Sequence, residues 1–228
     1  MTFFDVAALD EQQAYKLMTS VVVPRPIAWT VTKDAGGCVN AAPFSLFNFF
    51  SGSPPVVCIG MGSRGAGPKD SLANIVATKD FVINLVTDAL LDAMNTTAVP
   101  FPAGCNELEM AGIATLPGNQ VAVPRIAESP VALECRLWKV LELDAKNSLV
   151  MAHVLAVHVD DAAVVNATKC YIDGSKLHAV GRMQSPGWYT RTHDRFSLPQ
   201  MSVEQWTARQ EQDEAASTER RTTNGDKS

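Results

Sequence analysis

Apolar and polar positions divide the chain into short strand-like stretches with a few helical ones set among them. Residues 10–20 have the period of a short amphipathic helix. Val21-Val22-Val23-Pro24-Arg25-Pro26 ends it, because a residue before proline avoids helical backbone angles. Residues 27–32 alternate as a strand. Lys33-Asp34-Ala35-Gly36-Gly37 then supplies a turn that folds the chain back into Val39-Asn40-Ala41-Ala42. An aromatic run over 44–50 is followed by the turn Ser51-Gly52-Ser53-Pro54 and a strand over 55–60. In residues 70–79, Leu72, Ile75 and Val76 fall at i, i+3 and i+4, the narrow stripe of a helix lying on a sheet. A strand over 81–86 and a helix over 88–95 follow, with Asp88 in the N-cap position. Residues 100–113 read as a loop with one helical turn. Two long apolar stretches, 131–143 and 149–159, flank Asp144-Ala145-Lys146-Asn147-Ser148 as a hairpin. Residues 171–196 are irregular.

The pattern predicts a mainly β fold, a closed β architecture with helical insertions. A doubly wound sheet needs regular strand–helix alternation, which is missing after Ile113. Two parts are expected: a domain over 1–201 and a polar extension over 202–228, with room for one helix before a mobile tail.

Composition narrows the function classes. A chain of 228 residues holds one domain with a sizeable core. Its formal net charge of −5, without a dense basic stripe, argues against a nucleic-acid partner. No apolar stretch approaches the ~20 residues of a membrane helix, and residues 1–5 lack the pattern of a secretory signal. The five cysteines are widely spaced and contain no C-x-x-C pair, which suits reduced thiols in the cytoplasm.

The most chemically suggestive stretch is 60–75. Glycines, Ser63, Arg64, Lys69 and Ser71 lie between an apolar run and a helix start. Backbone N–H groups, a helix N-terminus and two cations together can hold a phosphate. Gly60-Met61-Gly62-Ser63-Arg64-Gly65 formally matches the dinucleotide pattern G-x-G-x-x-G. In that fold, however, the third glycine opens the helix and an acidic residue ends the next strand. Here Pro68 delays the helix until Asp70, and Asp80 precedes the strand. A P-loop fails because Pro68 takes the lysine position. A plain surface turn accounts for the glycines but not for the cations.

The second such segment is Asn40-Ala41-Ala42-Pro43-Phe44-Ser45. Small residues, uncovered backbone groups and an aromatic wall suit a planar heteroaromatic ring. A strand with a proline bulge fits the same text, and the residues alone leave both open. No hydrolytic motif such as G-x-S-x-G or H-E-x-x-H is present. His153 and His158 stand five apart on one strand, so an unbroken pleat puts them on opposite faces, away from a common metal. No metal site is expected. His178 and His193 lie in the irregular segment, better placed for a ligand.

Together these residues resemble the flavin reductase-like family, the FMN-binding split barrels. The similar text runs through Pro24-Arg25-Pro26-Ile27, Val39-Asn40-Ala41-Ala42-Pro43-Phe44-Ser45, Pro54-Pro55 and Pro68-Lys69-Asp70-Ser71. It continues through Asn74-Ile75, Phe81-Val82-Ile83-Asn84, Ser129-Pro130-Val131-Ala132-Leu133-Glu134-Cys135, Gly181-Arg182 and Tyr189-Thr190-Arg191. The resemblance implies an antiparallel split β-barrel, a homodimer with FMN near the subunit interface. It implies that Ser63, Arg64, Lys69 and Ser71, with Asp70, form the phosphate clamp. Asn40, Ala41, Ala42, Pro43, Phe44 and Ser45 would line the ribityl chain and ring, with Arg25, Pro26, Ile27, Ala28 and Trp29 close by. Trp29 stands where the family often has a smaller residue, which would reshape the ring pocket. Arg182, Tyr189, Arg191 and His193 would face the nicotinamide nucleotide or the flavin edge.

The implied activity is an NAD(P)H-dependent flavin reductase, with hydride passing from nicotinamide to flavin N5. One form of it is the reductase component of a two-component monooxygenase. FAD is an alternative flavin. No side chain is expected to act as nucleophile or general base, since the cofactor carries the chemistry. Three other functions stand beside it: an FMN-carrying electron-transfer protein, an FMN-dependent oxidoreductase on another small molecule, and a dinucleotide-binding protein using residues 60–65.

Overall fold

The computed structural model describes residues 1–64, 67–102, 104–210 and 212, with backbone alone at Arg64 and Pro68. The alternation around Trp29 seeds its main sheet. Strand β1 (Ala28–Lys33) is covered on both faces. Trp29 and Val31 enter one apolar core and Ala28 enters another, as the two-residue pleat requires. β1 pairs with β2 (Val39–Phe44) and also with a later strand, so it sits inside the sheet.

The aromatic run becomes β3 (Phe47–Gly52), and β4 (Pro55–Arg64) returns beside it. β4 runs four residues beyond the strand expected over 55–60. The sheet itself extends it, since Met61 and Gly62 pair with Ser148 and Asn147. The formal glycine motif is therefore sheet text: at Gly60 an added Cβ would meet the Leu46 Cβ at 2.9 Å. Gly60 is glycine because Leu46 crosses it, and its N–H donates to the Leu46 carbonyl.

The two-residue β5 (Gly67–Pro68) pairs with the end of β4. Helix α1 (Glu11–Val21) lies upstream, opened by a capping box in which Asp10 and Gln13 exchange hydrogen bonds. Helix α2 (Asp70–Thr78) follows β5, and Ile75 of its predicted stripe is fully buried. α2 stops at Lys79, which takes a left-handed φ of 70°. β6 (Asp80–Asn84) comes next. The second helix is a 3₁₀ turn over Asp88–Leu90 running into α3 (Leu91–Thr96). Its N-cap is Thr87 rather than Asp88, whose carboxylate instead pairs with Arg191. The loop over 100–113 contains α4 (Glu107–Met110). The short β7 (Thr115–Leu116) and β8 (Arg125–Ile126) pair with each other.

β9 (Val131–Glu142) and β10 (Asn147–Val159) form the predicted hairpin, its turn held by the Asp144 carboxylate on the N–H groups of Lys146 and Asn147. The irregular C-terminal part contains β11 (Val164–Asn166), β12 (Tyr171–Ile172), β13 (Val180–Arg182) and β14 (Tyr189–Arg191), in two small antiparallel pairs.

The main sheet runs β2-β1-β6-β9-β10-β4-β3, all antiparallel, with β5 attached to β4. One face of it wraps round a single core. Ala28, Phe44, Ile59, Phe81, Cys135 and Val150, from six strands, meet there with Ile75 of α2. An open flat sheet cannot bring its first and fifth strands to one cluster, so this is a barrel. It is split because no ladder joins β2 to β3 among the described residues. The second core, around Trp29, Val82, Met94, Leu108 and Ile126, packs α3, α4 and the loop over 117–124 on the outer face.

The chain falls into two units, Met1–His193 and Asp194–Ser228. In the second, a helix covers 203–210. The expected mobile tail lies largely outside the described residues. Among them no helix is long and apolar enough to cross a membrane.

Candidate functional site

The proline in β2 creates the site. Pro43 cannot donate to a ladder, and its neighbours Ala41 and Ala42 are short, so this stretch leaves room beside the sheet. Two cavities open there, of ≈ 240 and ≈ 230 Å³. Pro43 and Ala98 line both, so they are two halves of one groove.

The first half is bounded by Arg25, Ile27, Ser45, Arg182 and Tyr189, with Tyr15 and Thr19 of α1 on the far side. Arg25 is 6 % exposed. Its Nη1 donates to the carbonyls of Thr19 and Val22, both at 2.7 Å, and its Nη2 to that of Met183 at 2.9 Å. Its backbone exchanges both hydrogen bonds with Arg182. Arg25 thus ties α1 to the β13–β14 hairpin. Its Nε is buried without a protein acceptor. Burial pushes the guanidinium below its ordinary pKa, and nearby Arg182 adds to that. The Arg182 guanidinium itself lies over the Tyr189 ring, 4.7 Å from its centroid.

The second half is bounded by Asn40, Ala42, Lys69, Asp70, Ser71 and Glu107. Lys69 holds the N-cap position of α2 with extended backbone and no side-chain cap, so the first N–H groups of α2 face the groove uncapped by it. The Lys69 ammonium stands 5.2 Å from the centre of the Phe44 ring. Behind it runs a buried polar network. Ser71 Oγ donates to Asn40 Oδ1 at 2.8 Å. Asn40 Nδ2 donates to Glu107 Oε1 at 2.7 Å, and the Ala41 N–H donates to Glu107 Oε2 at 2.9 Å. Asn74 Nδ2 reaches Thr32 Oγ1, which bonds Asn40 in turn.

The structure therefore brings Arg25, Ile27, Asn40, Ala42, Pro43, Ser45, Lys69, Asp70, Ser71 and Arg182 to one groove. Phe44 joins them beneath Lys69, with its own ring mostly in the barrel core. Ala41 contributes its N–H from a buried position. Ala28 and Trp29 are fully buried and line neither cavity. The indole of Trp29 turns into the outer core, where Nε1 donates to Thr97 Oγ1 at 2.9 Å. It reshapes nothing in the groove directly; it supports Thr97, which lines the groove. Pro26 is exposed and lines neither half. Ser63, the last but one residue of β4, pairs with Pro68, off the cavity lining. The Arg64 side chain lies outside the described residues.

Glu107, Tyr15, Met94, Asn95 and Ala98 line the groove without any sequence signal singling them out. They come from three separate segments, and only Pro100 and Pro102, seven and five residues upstream, marked the loop holding Glu107.

The histidines resolve differently from the simple pleat. Leu155 is bulged out of the β9–β10 ladder, which resets the alternation. His153 faces Arg136 and His158 faces Ala132, so both stand on one face after all. They still do not converge. His153 stacks on Trp138, whereas His158 Nε2 bonds Glu134 Oε1 at 2.5 Å. No group of three or more His, Cys, Asp or Glu placed to hold a metal occurs among the described residues. His178 and His193 pack edge to face, outside the groove lining. Arg191 is paired with Asp88.

Comparison with known proteins adds four findings. The model of the flavin reductase like domain matches residues 18–177. An uncharacterized protein of Deinococcus radiodurans is 40 % identical over 221 residues, covering 93 % of this chain and 97 % of its own. Among solved structures, the 2-nitrobenzoate 2-nitroreductase NbaA of Pseudomonas fluorescens superposes with a TM-score of 0.82 at 30 % identity, over 89 % of this chain and 98 % of that one. Component B of the nitrilotriacetate monooxygenase of Bacillus cereus superposes with a TM-score of 0.81 at 25 % identity, over 87 % and 98 %. The family model covers most of the chain, and the chain belongs to the flavin reductase-like family.

Proposed function

We propose that the protein is an FMN-dependent oxidoreductase of the NAD(P)H:flavin reductase type, with the flavin in the Pro43 groove. The observation that carries this reading is the polarity of the groove from end to end. One end has the Lys69 ammonium and the N-terminus of α2, a phosphate site in chemistry. The other has two guanidinium groups on its lining, those of Arg25 and Arg182, which suit the polar edge of a ring. Between them, Ala42, Pro43 and Ala98 are short enough for a flat ring to approach the backbone. Joined, the two halves reach the roughly 300–1,000 Å³ typical of small-molecule sites. The residues present fit FMN.

In this reading the Lys69 ammonium and the first N–H groups of α2, that of Ser71 among them, hold the phosphate, while the Ser71 hydroxyl braces Asn40 behind it. Asn40, Ala41 and Ala42 follow the ribityl chain. Pro43, Phe44 and Ser45 wall the ring with Ile27, while Arg25 and Arg182 supply positive charge at its edge. Bound FMN would supply two-electron redox chemistry, with NAD(P)H as the hydride donor. The cationic edge favours the negative charge that the reduced ring carries. The buried Asn40–Glu107 network holds the groove wall in one geometry, and α1 limits water at the ring end. FAD is the alternative flavin.

The monooxygenase component B among the neighbours supports a role as the reductase of a two-component system. The nitroreductase favours a second reading, reduction of another small aromatic molecule at the same flavin. Exposed Phe49 and Phe50 on β3, a sheet-edge strand, support a homodimer. The reduced thiols suit a cytoplasmic protein. The test is an anaerobic titration of the FMN-loaded protein with NADH and NADPH. Rapid bleaching of the visible flavin band is expected. A yellow protein inert to both nucleotides overturns the reductase and favours an electron carrier. A protein that takes up neither FMN nor FAD overturns the flavin assignment.

A further inference from the structure

The wall at the phosphate end of the groove carries a pair of thiols that the flavin chemistry does not use. Cys38 and Cys105 both line a separate cavity of ≈ 150 Å³, which shares Asn40 and Asp70 with the groove. Both are half-buried free thiols. Cys38 Sγ lies 3.3 Å from the carbonyl oxygen of Gly104, the peptide oxygen that adjoins Cys105. Two residues further on, the same two segments are already joined, through Asn40 and Glu107. Those partners are 67 positions apart, the same separation as Cys38 and Cys105. The thiols form the neighbouring rung of one junction, between the start of β2 and the entry to α4.

We propose that Cys38 and Cys105 are an oxidisable thiol pair that closes to a disulfide with hydrogen peroxide, fastening the Glu107 wall to β2. One thiolate attacks the peroxide oxygen; an S–O bond forms, the O–O bond breaks and hydroxide leaves, to be protonated to water. The second thiol attacks the sulfenic sulfur; the S–S bond forms, the S–O bond breaks, and a second water leaves with the remaining proton. Two thiols lose two electrons and one peroxide gains them. The thiolate is the attacking form, so the reaction is faster at alkaline pH than near neutrality. Cys58 and Cys135 are buried, and Cys170 stands exposed in the turn between β11 and β12, so neither group competes for this bond.

The proposal does not rest on the flavin reading, and its test uses the full chain without flavin. The protein is treated with stoichiometric hydrogen peroxide at alkaline pH, then alkylated, digested and mapped by mass spectrometry. A species about 2 Da lighter is expected, with the Cys38 and Cys105 peptides linked and both released by dithiothreitol. Its thermal midpoint rises by about 3 °C or more, because the bond constrains the unfolded chain. Cys38→Ser and Cys105→Ser each abolish the link and the rise, whereas Cys170→Ser retains both. Recovery of Cys38 and Cys105 as separate thiols or sulfinic acids overturns the pair. A link between other cysteines does the same. A correct link with no rise in midpoint overturns the fastening.

Discussion

Glu134 shows what one residue can carry in this fold. It is fully buried, and its carboxylate accepts the N–H groups of Asn119, Gln120 and Val121 at 2.6–2.9 Å as well as the His158 bond. Gly118 makes this possible, since a Cβ there would meet the Val121 carbonyl at 2.7 Å. Burial alone would raise the carboxyl's pKa; the hydrogen bonds outweigh it and hold the group down at about 2. The folded pKa is below the ordinary value, so its contribution is complete above about pH 4.5. It is lost as the pH falls through about 2. Glu134→Gln turns an acceptor into an amide facing donors, and a loss of about 2–3 kcal/mol in urea unfolding at pH 7 is expected. The variant should also show a flatter decline of stability between pH 4.5 and 2 than the parent. At the groove, Lys69→Ala is expected to weaken FMN binding by about 10- to 100-fold, measured by fluorescence titration, with riboflavin affected little. Equal losses for both ligands would remove Lys69 from the phosphate site. Ser71 was legible as a hydroxyl at a helix start, but not that its hydrogen goes to Asn40. That bond joins residues 31 positions apart, and no local pattern encodes it.

Among elements, α1 and the β13–β14 hairpin depend on one side chain. Three of the Arg25 hydrogen bonds end on carbonyls of these two elements, and a lysine cannot reproduce that fork. Arg25→Met should leave the barrel folded and loosen the hairpin, so amide exchange at Val180 and Arg182 rises at least tenfold while Val82 and Ile83 stay protected. Uniform loss of protection would mean that Arg25 supports the whole barrel instead. Elements with a clear period were legible in advance: α1, α2 and the β9–β10 hairpin with its turn over 144–148; the capping box of α1 and the exposure of Val76 in the α2 stripe were not. Those set by pairing were not. β4 outruns its apolar text because β10 offers partners, and the Leu155 bulge turns His158 back to the face of His153. Both are properties of the neighbour strand.

The whole molecule presents one sheet edge with unusual chemistry. β3 ends the sheet, and Phe49 and Phe50 on it are 60 % and 67 % exposed. An apolar edge of this kind is costly in water and suits pairing with a second copy. Phe49→Asp is expected to shift the protein from dimer to monomer in analytical ultracentrifugation, with the far-ultraviolet circular dichroism unchanged. A parent protein that sediments as a monomer at all concentrations would overturn the dimer. The barrel, the cation at the start of α2 and the small residues of β2 follow from local text: hydrophobic period, turn residues and side-chain size act over a few positions, so one chain suffices to read them. Which charge is buried, which glycine yields to a crossing side chain, and how α1, β2, α2 and α4 converge on one groove depend on contacts between distant segments. Glu107 meets Asn40, and Trp29 leaves the groove for Thr97, only because the folded chain brings partners to them and burial makes an unpaired polar group expensive.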